Sequence, residues 1–229
     1  MISALSASSA FPGANLLRSA EVRWFLSQPI GQELFKSHAD LSGANTEPTR
    51  VDSYLCFPGA SFIGIKLREY KEENKEPRVN FECKLLERDC GLRRFPNGSE
   101  GRVELWCKWS TTIQTEVSQY KSRITGPGSV WQEVAKTRTI QKFEVTQGSV
   151  RPVSGRVTQG CNFELTSLGS GGSLGETIGF EAFSETSNQE LQQILIETVE
   201  HVLPLIKIPE LVAKASFGYP QWLTNVRTS

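Results

Sequence analysis

Between residues 20 and 184 the chain alternates, in run after run, between an apolar or small residue and a polar or charged one. That period of two narrows the available folds more than any other feature. Successive side chains of a strand point to opposite faces, so such a run reads as a strand with one face buried. The runs are Ala20 to Leu26, Arg50 to Phe57, Phe62 to Glu69, Val79 to Glu87, Arg102 to Ser110, Val130 to Phe143, Cys161 to Thr166 and Thr177 to Ser184. Gly, Pro, Ser and Asn separate them. Eight amphipathic strands with turn residues between them predict a mainly β protein closing as a barrel, with a few flanking helices.

The polar face of these strands is charged. Glu21 pairs in spacing with Arg23, Lys66 with Arg68, Glu82 with Lys84, Glu104 with Lys108, and Lys136 with Arg138, while Glu164 and Glu181 stand alone. The opposite faces carry Ile65 and Leu67, Phe81 and Cys83, Val103 and Leu105, Phe163 and Leu165, Phe180 and Ala182. Alternation does not say which face is inside. The ordinary packing sets the apolar face in the core and the charges in water. The inverted packing lines the lumen with charge and covers the apolar outside with helices and loops. Oxygen ligands in such a lumen suit Mg²⁺ or Mn²⁺, and its Lys and Arg suit phosphate oxygens.

Helix signals lie at the margins. Pro29 to Leu41 has a proline near its first turn and predicts a short helix. A capping signal at Ser187-Asn188 precedes Leu191, Ile194, Leu195, Val199, Val202 and Leu203, whose spacing predicts a helix over residues 188 to 203, ended by Pro204. Leu205 to Ala215 reads as another short helix, and Phe217, Tyr219 and Trp222 as anchors that dock the tail. The loops are Tyr70 to Arg78, Thr125 to Ser129, Gln147 to Gly160 and Gly169 to Gly175. The last lacks the lysine of a phosphate loop and reads as a hairpin tip. The expected division is an N-terminal arm (1–18), one barrel domain with its helix (19–204) and a docking tail (205–229).

Composition removes several classes of function. Lys and Arg together number 25 and so do Asp and Glu, so net charge gives no grip on double-stranded nucleic acid or an anionic membrane surface. No apolar run reaches the roughly 20 residues of a membrane span. The Ser- and Ala-rich start lacks the charged and apolar regions of a signal peptide. Five scattered cysteines without a CxxC pair indicate neither a disulfide framework nor a zinc site, and fit a cytoplasmic protein. Two histidines leave little material for a His-based triad.

Taken in order, Glu21-Val22-Arg23-Trp24-Phe25-Leu26, Ile65-Lys66-Leu67-Arg68, Glu82-Cys83-Lys84, Arg102-Val103-Glu104, Val134-Ala135-Lys136-Thr137-Arg138, Phe163-Glu164-Leu165 and Gly179-Phe180-Glu181 resemble the charged-strand motifs of the CYTH superfamily, the triphosphate tunnel metalloenzymes. The resemblance spans residues 19 to 184. It implies an eight-stranded antiparallel tunnel for a triphosphate-bearing substrate and a divalent metal, as in thiamine triphosphatases and class IV adenylyl cyclases. By that likeness Arg23, Lys66, Arg68, Lys84, Arg102, Lys108, Lys136 and Arg138 would bind substrate. Glu21, Glu104, Glu164 and Glu181 would be catalytic, and Glu104, Glu164 and Glu181 would hold Mg²⁺ or Mn²⁺. The departures fall on the metal side, where Ser19, Trp106 and Gly179 stand in place of expected carboxylates.

Two functions follow from that likeness. One is a divergent metal-dependent phosphohydrolase acting on an inorganic or organic triphosphate. The other is a non-catalytic polyphosphate- or nucleotide-binding protein with a degenerate metal site. A third, independent of the likeness, is an ordinary barrel carrying a lipophilic ligand, which requires the Lys66 and Arg68 face to be exposed.

Overall fold

The computed structural model describes residues 15 to 228 except 71–77, 114–120, 123, 125, 127, 147, 171–172 and 186–189. Its strands are β1 (Asn15–Leu26), β2 (Asn45–Thr46), β3 (Arg50–Leu55), β4 (Ile63–Tyr70), β5 (Arg78–Arg94), β6 (Glu100–Ile113), β7 (Trp131–Thr146), β8 (Ser149–Val153), β9 (Gln159–Ser170) and β10 (Ser173–Ser184). Among the described residues, α1 (Leu191–Val202) and α2 (Tyr219–Thr228) are α-helices. Eight strands pair antiparallel in the order β7-β3-β4-β5-β6-β1-β10-β9, and β9 returns to β7 to close the barrel. The short β2 and β8 pair with β7 outside this ring. Each of the eight alternating runs falls on one ring strand.

The closed barrel is inverted. Glu21 and Arg23 of β1 and Glu164 of β9 point into the lumen, while their neighbours Ala20, Val22, Trp24, Phe163 and Leu165 point outward and are buried there. What buries them is α1, whose Leu191, Ile194, Leu195, Val199 and Val202 form one apolar stripe across β10, β1, β9 and β7. The main hydrophobic core therefore lies between helix and barrel wall, outside the tunnel. Lys66 and Arg68 face the lumen, which overturns both the ordinary packing and the lipophilic-carrier reading that depended on it.

The helix expected over Pro29 to Leu41 is instead two 3-10 turns, Gln32–Lys36 and Ala39–Leu41. The break comes at His38, which is extended and whose Nδ1 accepts the Asp40 N–H, so the second turn starts afresh. Leu205 to Ala215 is not a helix either, and only Leu203–Leu205 and Ala213–Ala215 make single turns. Pro204 and Pro209 supply no amide hydrogen there, and the stretch instead pairs with the start of β6, the Glu100 N–H donating to Leu211 O at 2.7 Å. The capping pair Ser187-Asn188 lies outside the described residues. At the expected Gly169 to Gly175 tip, β9 and β10 pair antiparallel as far as Ser170 opposite Ser173, and residues 171–172 lie outside the described residues. Part of Gln147 to Gly160 is strand, since β8 folds back on β7.

The C-terminal segment enters the barrel rather than lying on it. β1 and β6 pair from Asn15 opposite Ser110 to Glu21 opposite Glu104. Beyond that point Ser216 bridges Trp24, and its hydroxyl accepts the Arg102 N–H at 2.8 Å. Phe217 then stacks on Phe25 with ring centroids 4.8 Å apart, and Trp222 stacks on the same ring at 5.5 Å. Leu223 and Tyr219 complete a second apolar cluster with Tyr54, Val134 and Leu168. Phe25, Tyr54, Val134 and Leu168 share strand faces with the lumen charges, and Tyr219 and Leu223 line the same cavity.

Candidate functional site

The lumen holds a cavity of about 290 Å³, at the small end for ligand sites, which suits a compact ligand. Its walls carry eight cationic side chains, Arg23, Arg50, Lys66, Arg68, Lys84, Lys108, Lys136 and Arg138. Five carboxylates, Glu21, Glu82, Glu104, Glu164 and Glu181, line it too. Of the twelve residues named for the site from sequence, eleven meet here. Arg102 does not: it shares the lumen face of β6, but the β5–β6 hairpin has by then left the barrel, and its guanidinium pairs with Asp89 at 2.5 Å.

Most of these charges are already matched, in two clusters. On one wall Arg23 meets Glu164 at 2.6 Å and donates to the Thr177 hydroxyl at 2.9 Å. Arg138 reaches the other Glu164 oxygen at 3.2 Å and forks onto Glu47 with two bonds of 2.9 Å. On the facing wall the fully buried Asp52 accepts from Arg68 at 3.1 Å and lies 3.4 Å from Arg50 and 3.6 Å from Lys66. Glu82 takes Lys66 at 3.0 Å and Arg68 at 3.1 Å. Lys136 differs, for it donates to the Tyr54 hydroxyl at 2.6 Å and sits 3.5 Å from the centre of the Tyr219 ring.

These placements set the charge states. Burial opposes a charge on Asp52 and on Glu164, yet the surrounding cations win, holding both carboxyls well below the usual range. Burial, and then the Arg68 charge, push the Lys66 ammonium down to about 8. Lys136 is pushed well below the ordinary lysine range, by burial first and by Lys66 second. The lumen is thus a place where positive charge is crowded and largely buried, which is where an added anion gains most.

A different row lies at the level of Glu21. Glu104, Glu21 and Glu181 stand directly opposite one another on the neighbouring strands β6, β1 and β10. Both Glu21 oxygens accept from Lys84 at 2.5 Å, and the Ser19 hydroxyl donates to one of them at 2.6 Å. Glu104 accepts the Trp106 indole N–H at 3.0 Å. Burial, reinforced by the Glu21 charge, pushes the Glu104 carboxyl up to about 7. A raised carboxyl pKa means that the folded form holds a proton the unfolded chain has lost. Stability from this group is therefore expected to fall as pH rises from about 4.5 to about 7. Glu104→Gln should remove that part of the slope in a pH series of melting temperatures, and an unchanged slope would refute the assignment.

The residues standing where carboxylates were expected each hold a remaining charge. Ser19 braces Glu21, Trp106 braces Glu104, and Gly179 makes room for Arg23, since a Cβ there would lie 2.7 Å from the guanidinium carbon. Among the described residues no three His, Cys, Asp or Glu side chains gather as a metal cage. Glu164 sits opposite Gly179 and is held by two arginines. Of the three residues named as metal ligands, Glu104 and Glu181 flank Glu21 in the carboxylate row, and Glu164 lies outside it.

Sequence reasoning missed Asp52, Tyr54, Arg50, Glu47 and Tyr219. Arg50, Asp52 and Tyr54 alternate within a run already read as a strand, so the signal was present. Glu47 precedes β3 and Tyr219 lies in the tail, where no local pattern points to the lumen.

No family model matches the chain, and no curated protein matches it. Among solved structures it is similar to the PH1012 protein from Pyrococcus horikoshii OT3, with a TM-score of 0.44 and 14% identity over 82% of this chain and 94% of that one. No helix among the described residues is long and apolar enough to cross a membrane.

Proposed function

We propose that the lumen binds a compact phosphorylated anion, a triphosphate or the triphosphate end of an organic ester, and that the chain is a divergent CYTH-type tunnel. The observation that carries this reading is the convergence of Arg23, Lys66, Arg68, Lys84, Lys136 and Arg138 on one small cavity. Guanidinium forks match phosphate oxygens two at a time, and the lysines add point charges around them. Asp52, Glu82 and Glu164 hold Lys66, Arg68, Arg23 and Arg138 in place before the ligand arrives, Glu21 holds Lys84 and the Tyr54 hydroxyl holds Lys136, so little ordering remains to be done on binding.

Binding to the folded state alone stabilises it by RT ln(1 + [L]/Kd), about 2.7 kcal/mol at a hundredfold excess over Kd. Inorganic triphosphate is therefore expected to raise the melting temperature in EDTA, and sodium sulfate at equal ionic strength to raise it far less. If triphosphate leaves the melting temperature unmoved with and without Mg²⁺, the proposal fails.

The register of Glu104, Glu21 and Glu181 favours a second reading, metal-dependent hydrolysis of the bound triphosphate. Mg²⁺ or Mn²⁺ prefers such oxygen ligands and lowers the charge on phosphate oxygens. Glu21 would have to release Lys84 to a phosphate first. Phosphate release that needs Mg²⁺ or Mn²⁺ and is lost in Glu181→Gln decides for hydrolysis. Binding without release decides for a binding protein.

A further inference from the structure

The two ion-pair clusters of the lumen are joined by a carboxylate that lies on no ring strand. Glu47 sits on the link between β2 and β3, and its two oxygens accept from Nε and Nη2 of Arg138 at 2.9 Å each. One of those oxygens also accepts from Arg50 Nη1 at 2.8 Å. Arg138 belongs to the cluster around Glu164 and Arg50 to the cluster around Asp52, so Glu47 bridges them. A guanidinium fork gripping two oxygens, with a second cation on one of them, is also how arginines hold a phosphate. Arg50 has a further donor to offer, for its Nε is buried and has no hydrogen-bond partner among the described residues.

Glu47 differs from the other carboxylates paired with lumen cations in how readily it can leave. Its side chain is 32% exposed, against 10% for Glu21, 8% for Glu82, 6% for Glu164 and 0% for Asp52. A carboxylate that turns away from that position enters water, whereas the others would be stranded as buried charges. The backbone need not follow, because the Glu47 N–H donates to Arg138 O at 2.8 Å and the Thr49 hydroxyl lies 2.7 Å from that of Thr137.

Resting on the reading of the lumen as a phosphate site, we propose that Glu47 is a built-in competitor of the ligand. It occupies the Arg138 fork and one arm of Arg50 until a phosphate displaces it, and so selects ligands by their number of linked phosphates. A tethered carboxylate acts at an effective concentration of roughly millimolar or more. A single phosphate must outcompete it with no second group anchored elsewhere. A chain of phosphates holds on at Lys66, Arg68 or Lys84 while one of its members takes the place of Glu47.

Calorimetric titration of the full chain with inorganic triphosphate in EDTA tests this. Glu47→Gln is expected to bind it roughly 3- to 10-fold more tightly than the parent, the strength of one or two partly exposed ion pairs. Glu33→Gln removes the same charge from an exposed pair with Lys36 and should leave the affinity unchanged. Orthophosphate at millimolar concentration should raise the melting temperature of Glu47→Gln and not that of the parent. If Glu47→Gln folds poorly, Glu47→Asp, whose carboxylate is a methylene short of the fork, is expected to change affinity in the same direction. Equal or weaker triphosphate binding in these variants would make Glu47 a brace for the arginines and overturn the inference. So would an equal gain in Glu33→Gln, or an orthophosphate shift as large in the parent as in Glu47→Gln. If neither the parent nor Glu47→Gln binds triphosphate, the phosphate reading itself fails and the inference falls with it.

Discussion

Glu164→Ala should lower the stability of the ligand-free protein by about 3–5 kcal/mol, the usual cost of leaving a buried charge without its partner. Glu164 neutralises Arg23 at 2.6 Å and Arg138 at 3.2 Å, and one of its oxygens also accepts the Thr166 hydroxyl at 3.1 Å. Removing it leaves the buried Arg23 without its carboxylate beside Lys136, while Arg138 keeps Glu47. A loss of that size is a large part of the stability of a domain and is measurable by urea titration. The same variant should regain much of the loss when triphosphate is added, because the phosphate oxygens replace the missing carboxylate. A metal ligand behaves otherwise, since its removal takes away the response to Mg²⁺ and leaves the metal-free stability near that of the parent. Acid should act like the mutation. The Glu164 carboxyl is held below its unfolded value, so its contribution is full above about pH 4.3 and is lost as pH falls through the folded value.

That test matters because sequence and structure give Glu164 different work. The spacing of charges placed it on the lumen face, and the resemblance then made it a metal ligand. The lumen face is a local property of a strand, readable from alternation, and all eight ring strands were legible for that reason. Which charges touch is set by register and by the curvature of the ring, which brings β1 and β9 across β10 so that Arg23 and Glu164 meet over Gly179. No pattern within one strand encodes that. Arg102 shows the converse, because it keeps the lumen periodicity and leaves the lumen where the hairpin of β5 and β6 outgrows the ring. Inversion of the barrel was legible only as an alternative. What decides it is α1, which supplies enough apolar surface to bury the outward faces of four strands.

Lys136→Met should separate binding from folding in the direction opposite to Glu164→Ala. Lys136 is buried, lies near Lys66 and Arg23, and rests on the rings of Tyr54 and Tyr219 with a hydrogen bond to the Tyr54 hydroxyl. A methionine fills nearly the same space between the two rings and removes a cation whose burial is unfavourable. The ligand-free variant is therefore expected to be as stable as the parent or more so, by up to about 3 kcal/mol. Its affinity for triphosphate should fall roughly 30- to 4,000-fold, equivalent to about 2–5 kcal/mol for truncating one member of a desolvated charge pair. A second consequence concerns pH. Burial and neighbouring cations disfavour the proton on Lys136 in the free protein, and a bound phosphate favours it, so binding takes up a proton. Affinity must then decline as pH rises through the free-state value of this lysine. Lys136→Arg, which keeps its charge across that range, should flatten the Lys136 part of the decline while retaining binding. Calorimetry in two buffers of different ionisation enthalpy counts the protons directly. Equal proton uptake in the parent and in Lys136→Arg would assign the linkage elsewhere, with Lys66, pushed down to about 8, the next group to examine.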